Sequence, residues 1–289
     1  MWQLVYRETQ ARPSPLPLPA SGATSARWAR IRLAPFTAAL AMALLPCTGR
    51  AGVPFVPYFP TPQAVVDRML EIAELKESDF LIDLGCGDGR IPVTAAARYG
   101  TPGLCVDADA QRIVEAKDNA AKAGVADKVD IRKEDLFDTD IGKASVLTLY
   151  LSLRINIKLR PRILEKLQPG ARVLSHDFNM GDWLPDRTER VTGHVLYLWV
   201  VPAKVGGSWQ LTYDGPQGAG RFALELEQQF QQLDGNAVID GKRVPLRNAA
   251  VNGERVSFAV DASDDRLMRF EGRFANGHLE GDGWKAARR

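Results

Sequence analysis

The spacing of apolar positions changes character along the 289 residues. After Thr61-Pro62, which supply an N-cap and a favoured first helical residue, Val65, Val66, Met69, Leu70 and Ala73 recur at helical spacing. Phe80-Leu81-Ile82 is a short apolar run that stops at Asp83 and a glycine cluster, the pattern of a buried parallel strand. An Ala-rich helix is predicted over Ile91 to Tyr99, with Gly100 as its stop signal. Strand Gly103 to Val106 follows and ends at Asp107, then helix Ala110 to Ala123, closed by Gly124. Further strands are predicted at Val129 to Ile131, Val146 to Tyr150 and Arg172 to Ser175, with a helix from Arg160 to Leu167 before the last of these. A final pair is expected at Arg187 to Val191 and Val195 to Val201. Strands alternating with helices imply an α/β fold with a mainly parallel sheet, here the seven-stranded Rossmann-like kind, covered by helices on both faces.

Beyond Pro202 the period shortens to two. Phe222 to Leu226 and Arg255 to Val260 alternate, and Asp234-Gly235, Asp240-Gly241, Asn252-Gly253 and Asn276-Gly277 are hairpin-type dipeptides. This predicts a C-terminal antiparallel β meander, a small barrel or sandwich, over 206–289, acting as an interaction or packing module. The preceding domain is then 52–205. Residues 1–51 form a Pro/Ser/Ala-rich leader in which Arg27, Arg30 and Arg32 precede the apolar run Leu33 to Cys47 and the small residues around Gly49 and Ala51. That order is the order of a signal peptide, and the run is too short to span a bilayer. It points to export or to membrane tethering and membrane association, with a cytoplasmic chain and a locally packed tail as the alternative.

A hydrophobic content of 45% and a charged content of 25% fit a globular protein with a substantial core. A net charge of +2 gives no reason to expect nucleic acid as partner. Three cysteines make no disulfide framework, and Cys86 and Cys105 read as small buried hydrophobes.

The chemistry concentrates in Asp83-Leu84-Gly85-Cys86-Gly87-Asp88-Gly89-Arg90. A dinucleotide fingerprint needs a glycine where Arg90 stands, and Asp83 would repel a pyrophosphate. An acid at a strand tip beside Gly85, Cys86 and Gly87 suits instead a cationic cofactor, S-adenosylmethionine, whose ammonium and sulfonium it attracts. Asp107 ends the second strand, where an acid accepts from ribose hydroxyls. Asp135, followed by Leu136, comes after the third, where an acid can accept from the adenine amino group.

With Asp107 and Asp135, the loop resembles the cofactor motifs of class I S-adenosylmethionine-dependent methyltransferases over roughly 55–201. Val53 to Pro62, ahead of Gly-Asp-Gly-Arg-Ile, is more narrowly similar to a family of compact archaeal and mitochondrial protein-lysine methyltransferases, although Tyr58-Phe59 are extra residues between its Val-Pro and Pro-Thr elements. The resemblance implies Thr61 near the cofactor or the acceptor, a Trp such as Trp183 after the fifth strand in the substrate pocket, and a protein lysine as acceptor. Tyr150 and Asp177, at the ends of strands four and five, are the candidate proton acceptors. A small-molecule methyltransferase and a noncatalytic cofactor-binding envelope protein are the alternatives.

Overall fold

The computed structural model describes residues 58–289 apart from 216–217 and 262–265. The signal-like segment and the Val53 to Pro57 half of the proline-rich motif lie outside the described residues. Among those described, no helix is long and apolar enough to cross a membrane.

The first part of the chain forms the seven-stranded sheet that the alternation predicts. Its strands are β1 (Leu81–Leu84), β2 (Gly103–Asp107), β3 (Val129–Lys133), β4 (Val146–Leu149), β5 (Arg172–His176), β6 (Arg187–Val191) and β7 (His194–Val200). Their order is β3-β2-β1-β4-β5-β7-β6; β1 to β5 are parallel, and β7 is antiparallel to both its neighbours. Period-two alternation divides the strand residues between two layers. Ile82, Leu84, Leu147, Leu149 and Val173 join one core with Ile155, Leu159 and Ile163 of the helix Leu153–Lys166. Leu81, Val146 and Leu174 join another with Val65, Val66, Met69 and Leu70 of the helix Gln63–Ile72. The helices are thus α1 (Gln63–Ile72), α2 (Arg90–Tyr99), α3 (Ala110–Lys122) and α4 (Leu153–Lys166).

Helix α4 begins seven residues before its predicted start. Ser152 caps it by accepting from the Ile155 amide at 3.4 Å, and Ile155, Leu159 and Ile163 form its buried stripe. Pro161 lies inside the helix and masks this periodicity in the sequence.

From Gly207 the described residues form nine antiparallel strands: β8 (Gly207–Gly215), β9 (Gly218–Gln229), β10 (Gln232–Ile239), β11 (Lys242–Pro245), β12 (Arg247–Asn252), β13 (Arg255–Asp261), β14 (Leu267–Ala275), β15 (His278–Gly281) and β16 (Trp284–Arg288). β9 pairs with both β8 and β10, so the ladder closes on itself through β12 to β16 and the module is a barrel. Asp240-Gly241 and Asn276-Gly277 make two-residue turns with positive φ, as expected of hairpins. Asp234-Gly235 does not: it lies within β10, and the β9–β10 turn falls at Phe230-Gln231. Gly235 is needed there for a different reason, since a Cβ at its φ of 153° would stand 2.1 Å from the Glu225 carbonyl oxygen.

The barrel shares packing with the α/β sheet. Trp183, expected in a substrate pocket, is fully buried between Trp199 of β7 and Phe230 of the barrel, with ring centroids 5.8 and 6.0 Å away. Its Nε1 donates to Gln231 Oε1 at 2.8 Å. The following residues Ala203 and Val205 are fully buried as well, and the Ala203 amide donates to the Gly253 carbonyl at 2.8 Å. Trp183 is therefore a packing residue, placed by the turn after β5 under the barrel rather than toward the cavity.

Candidate cofactor site

A cavity of about 380 Å³, within the size range of small-molecule sites, opens beyond the carboxyl ends of β1, β2 and β4. It lies where the strand order reverses between β1 and β4, the expected ligand position in such sheets. Thr61, Asp83, Gly85, Cys86, Gly87, Asp107, Asp135, Leu136 and Tyr150 all line it.

The bend after β1 forms because the backbone reverses over β2. The amides of Gly85 and Cys86 donate to the Val106 carbonyl at 2.9 and 3.0 Å. Gly87 adopts φ 55°, and a Cβ there would stand 2.4 Å from Tyr58 Cε2. Its amide donates to Asp107 Oδ2 at 2.9 Å, and the other oxygen of Asp107 accepts from the Asp109 amide at 2.8 Å. Asp135 Oδ1 accepts from the Phe137 amide at 2.8 Å, which fixes the turn after β3. Arg90 pairs with Asp88 at 2.6 Å and donates to the Thr61 carbonyl at 2.8 Å, joining the proline-rich segment to the glycine bend.

Cys86 and Cys105, expected as separate apolar side chains, form a disulfide with Cα atoms 5.4 Å apart. Both are buried, as expected, but the reading as free thiols is overturned. The reason is sheet register: Asp83 lies opposite Cys105 on the neighbouring strand, and the bend returns Cys86 to the same place. Linear spacing does not reveal that adjacency.

Asp83 is 2% exposed and accepts from the Thr148 hydroxyl at 2.8 Å. Burial, opposed by that hydrogen bond and helped by the charges of Asp107 and Asp88, pushes its pKa up to about 7. A carboxyl destabilised in this way is stabilised by any cation brought to it. Asp88 is also partly buried, but Arg90 outweighs the burial and holds it below the ordinary carboxylate range. Among the described residues the lining carries six acids, Asp83, Asp88, Asp107, Asp109, Glu134 and Asp135, against two arginines. Both arginines are already paired, Arg90 with Asp88 and Arg112 with Glu115 at 2.6 Å. The donor set fits S-adenosylmethionine and disfavours a phosphate-bearing ligand.

The cavity also carries aromatic rings. Tyr58, Phe59 and Tyr150 line it, and Arg112 stacks over the Tyr58 ring at 4.4 Å from its centroid. The extra residues Tyr58 and Phe59 are therefore wall residues; their place beside the Thr-Pro element is the only sequence signal for this. Tyr150 stacks on His176, with ring centroids 3.9 Å apart. Burial raises the Tyr150 pKa, as does the charge of Asp177. His176 is fully buried at the tip of β5, its Nδ1 3.2 Å from the Thr61 hydroxyl. Burial brings its pKa down to about 4, so it is neutral at physiological pH.

Asp177, expected as a proton acceptor, does not line the cavity. It adopts φ 60° and faces β7, where Oδ1 accepts from the Val195 amide at 2.8 Å and Oδ2 lies 2.9 Å from His194 Nδ1. The left-handed backbone at that position turns the side chain away from the acceptor side, a feature the sequence does not display.

Comparison with known proteins agrees with this geometry. The model of the ANTKMT methyltransferase domain matches residues 83–187. A protein-lysine N-methyltransferase of Saccharolobus islandicus is 42% identical over 154 residues, which is 52% of this chain and 96% of that enzyme. The adenine nucleotide translocase lysine N-methyltransferase of Mus musculus is 28% identical over 148 residues, 49% of this chain and 64% of that enzyme. Among solved structures, one described as an RNA methyltransferase from Salinibacter ruber, in complex with S-adenosyl-L-homocysteine, is 50% identical. That likeness covers 51% of this chain and 96% of the other, with a TM-score of 0.50. The chain belongs to the compact archaeal and mitochondrial protein-lysine methyltransferase family and is an S-adenosylmethionine-dependent methyltransferase.

Proposed function

We propose that this methyltransferase acts on lysine side chains of a protein. In this reading Asp83 faces the charged amino-acid end of the cofactor, Asp107 its ribose, and Asp135 with Leu136 its adenine. Gly85, Cys86 and Gly87 supply the close backbone approach, and Thr61 closes the side nearest the acceptor. The observation that carries the reading is the composition of the cavity wall: six acids, two paired arginines and the rings of Tyr58, Phe59 and Tyr150. Carboxylates and aromatic faces draw in an ammonium.

When bound, the cofactor supplies a methyl group on a sulfonium leaving group. The chain's own contribution is positioning, water exclusion and proton control. The aromatic wall holds the acceptor nitrogen in a partly dry space. Desolvation and a neighbouring positive charge both favour loss of the lysine proton, lowering a pKa that is near 10.4 in water. Tyr150 stays protonated, so its ring adds no negative charge beside the incoming amine. Alignment of nucleophile and methyl then accounts for several kcal/mol of the barrier.

The Salinibacter ruber relative favours a second reading, RNA as acceptor. Polyanion binding depends on free lysines and arginines that neutralise phosphates. The acid-rich wall is the wrong sign for that.

Purified enzyme incubated with methyl-labelled cofactor and a cell extract is expected to label protein bands, and blocking extract lysines beforehand should abolish the label. Label confined to an RNase-sensitive fraction would overturn the lysine assignment. Separately, Asp107→Ala is expected to weaken cofactor binding by about 1.5–3 kcal/mol, roughly 10–150-fold by calorimetry. Unchanged affinity would show that the ribose lies elsewhere.

A further inference from the structure

We propose that His176, Asp177 and His194 form a binding site for a zinc-class divalent metal ion, behind the acceptor end of the cavity. Nε2 of His176, Oδ2 of Asp177 and Nδ1 of His194 all lie within 4.8 Å of one another. Two of the separations are 3.4 Å, from His176 Nε2 to Asp177 Oδ2, and 2.9 Å, from His194 Nδ1 to the same oxygen. A tetrahedral ion with bonds of about 2.0–2.1 Å holds its ligands about 3.3 Å apart. The atoms therefore stand near coordinating positions already.

The independent pointer is His176 Nε2. It is fully buried and has no hydrogen-bond partner, although Asp177 Oδ2 is 3.4 Å away. Leaving a buried polar atom unmatched costs about 1–3 kcal/mol, so such atoms usually have a reason. The other ring nitrogen is engaged with the Thr61 hydroxyl at 3.2 Å. If Nδ1 donates its proton to Thr61 Oγ1, Nε2 presents a bare lone pair to the cluster. That is the arrangement of metal-bound imidazoles, whose second nitrogen is held by an outer partner.

The other two ligands are equally well placed. Asp177 is held by both its backbone and its Oδ1: its amide donates to the Val195 carbonyl at 2.7 Å, and Oδ1 accepts from the Val195 amide at 2.8 Å. Oδ2 is thereby left facing the two rings. His194 sits at the start of β7, partly exposed, with its ring edge-on to His176 at 4.6 Å between centroids. Two imidazoles and one carboxylate suit zinc and its first-row neighbours rather than magnesium or calcium, which prefer all-oxygen shells. The partly exposed side of the cluster leaves the fourth position to solvent. A bound ion would clamp the β5 tip to β7 and, through the His176–Thr61 contact, fix the wall on which Tyr150 stacks.

The test uses the full chain, stripped with a chelator and kept oxidised, titrated with zinc alone against a chromophoric competitor. One equivalent of zinc is expected to bind and to raise the melting temperature. Asp177→Asn and His194→Ala, both at partly exposed positions, should weaken it about 100-fold or more, since losing even an outer partner of a ligand costs 10–100-fold. Their circular dichroism should match that of the parent. Substoichiometric zinc, or equal affinity in parent and His194→Ala, would overturn the site.

Discussion

Trp183→Ala is expected to lower the unfolding free energy by about 3–5 kcal/mol, the loss typical of deleting a buried indole. The residue has no exposed surface, stacks near Trp199 and Phe230, and donates to Gln231 across the junction of sheet and barrel. Truncation opens a void on both sides and leaves the Gln231 side chain without its donor; Gln231 Nε2 still reaches the Leu184 carbonyl at 2.5 Å. The Trp199 indole also donates to the Trp183 carbonyl at 2.8 Å, so disorder in the turn would spread into β7. For a chain of this size each kcal/mol corresponds to about 2–4 °C, and a melting point lowered by roughly 10 °C is expected. A shift within about 2 °C would mean that barrel and sheet do not share this core.

Asp83→Asn should have two effects of opposite sign. In the cofactor-free protein the buried carboxyl has its pKa raised from 3.8 to about 7, so the fold prefers it protonated. That preference is fully present below about pH 4 and is lost as pH rises through about 7, so the parent loses stability over that interval. The asparagine variant lacks this loss and should melt several degrees higher than the parent at pH 8. Its cofactor affinity should fall sharply. A unit charge about 4 Å from a carboxylate is worth about 4 kcal/mol at an effective dielectric of 20, or roughly 1,000-fold. Binding to the parent below pH 7 should also release a proton, visible as a buffer-dependent calorimetric heat. Equal affinity in parent and variant at pH 8 would remove Asp83 from the cation's surroundings.

What the sequence makes legible follows from how local each signal is. Asp83, Asp107 and Asp135 stand at strand ends beside a glycine bend, and each of those signals is contained in a few neighbouring residues. The cavity lining brings all three together. Contacts that depend on register are invisible in the same text. Cys86 meets Cys105 only because β1 and β2 pair as they do, and Thr61 meets His176 across 115 residues. Asp177 and Trp183 fail as acceptor-side residues because one left-handed residue and one turn after β5 redirect both. In the barrel the dipeptide rule succeeds at Asn276-Gly277, where the chain reverses, and fails at Asp234-Gly235, where glycine is required by a neighbouring strand's carbonyl.

The Cys86–Cys105 bond makes the glycine bend after β1 and the strand that ends at Asp107 one covalent piece. Dithiothreitol would free the two from each other, and closing a loop of this length is worth about 3 kcal/mol by chain-entropy reckoning. Preparations handled with and without reductant are thus different chemical species. Binding constants from the two should not be pooled, and an assay buffer chosen by habit would decide which one is being measured.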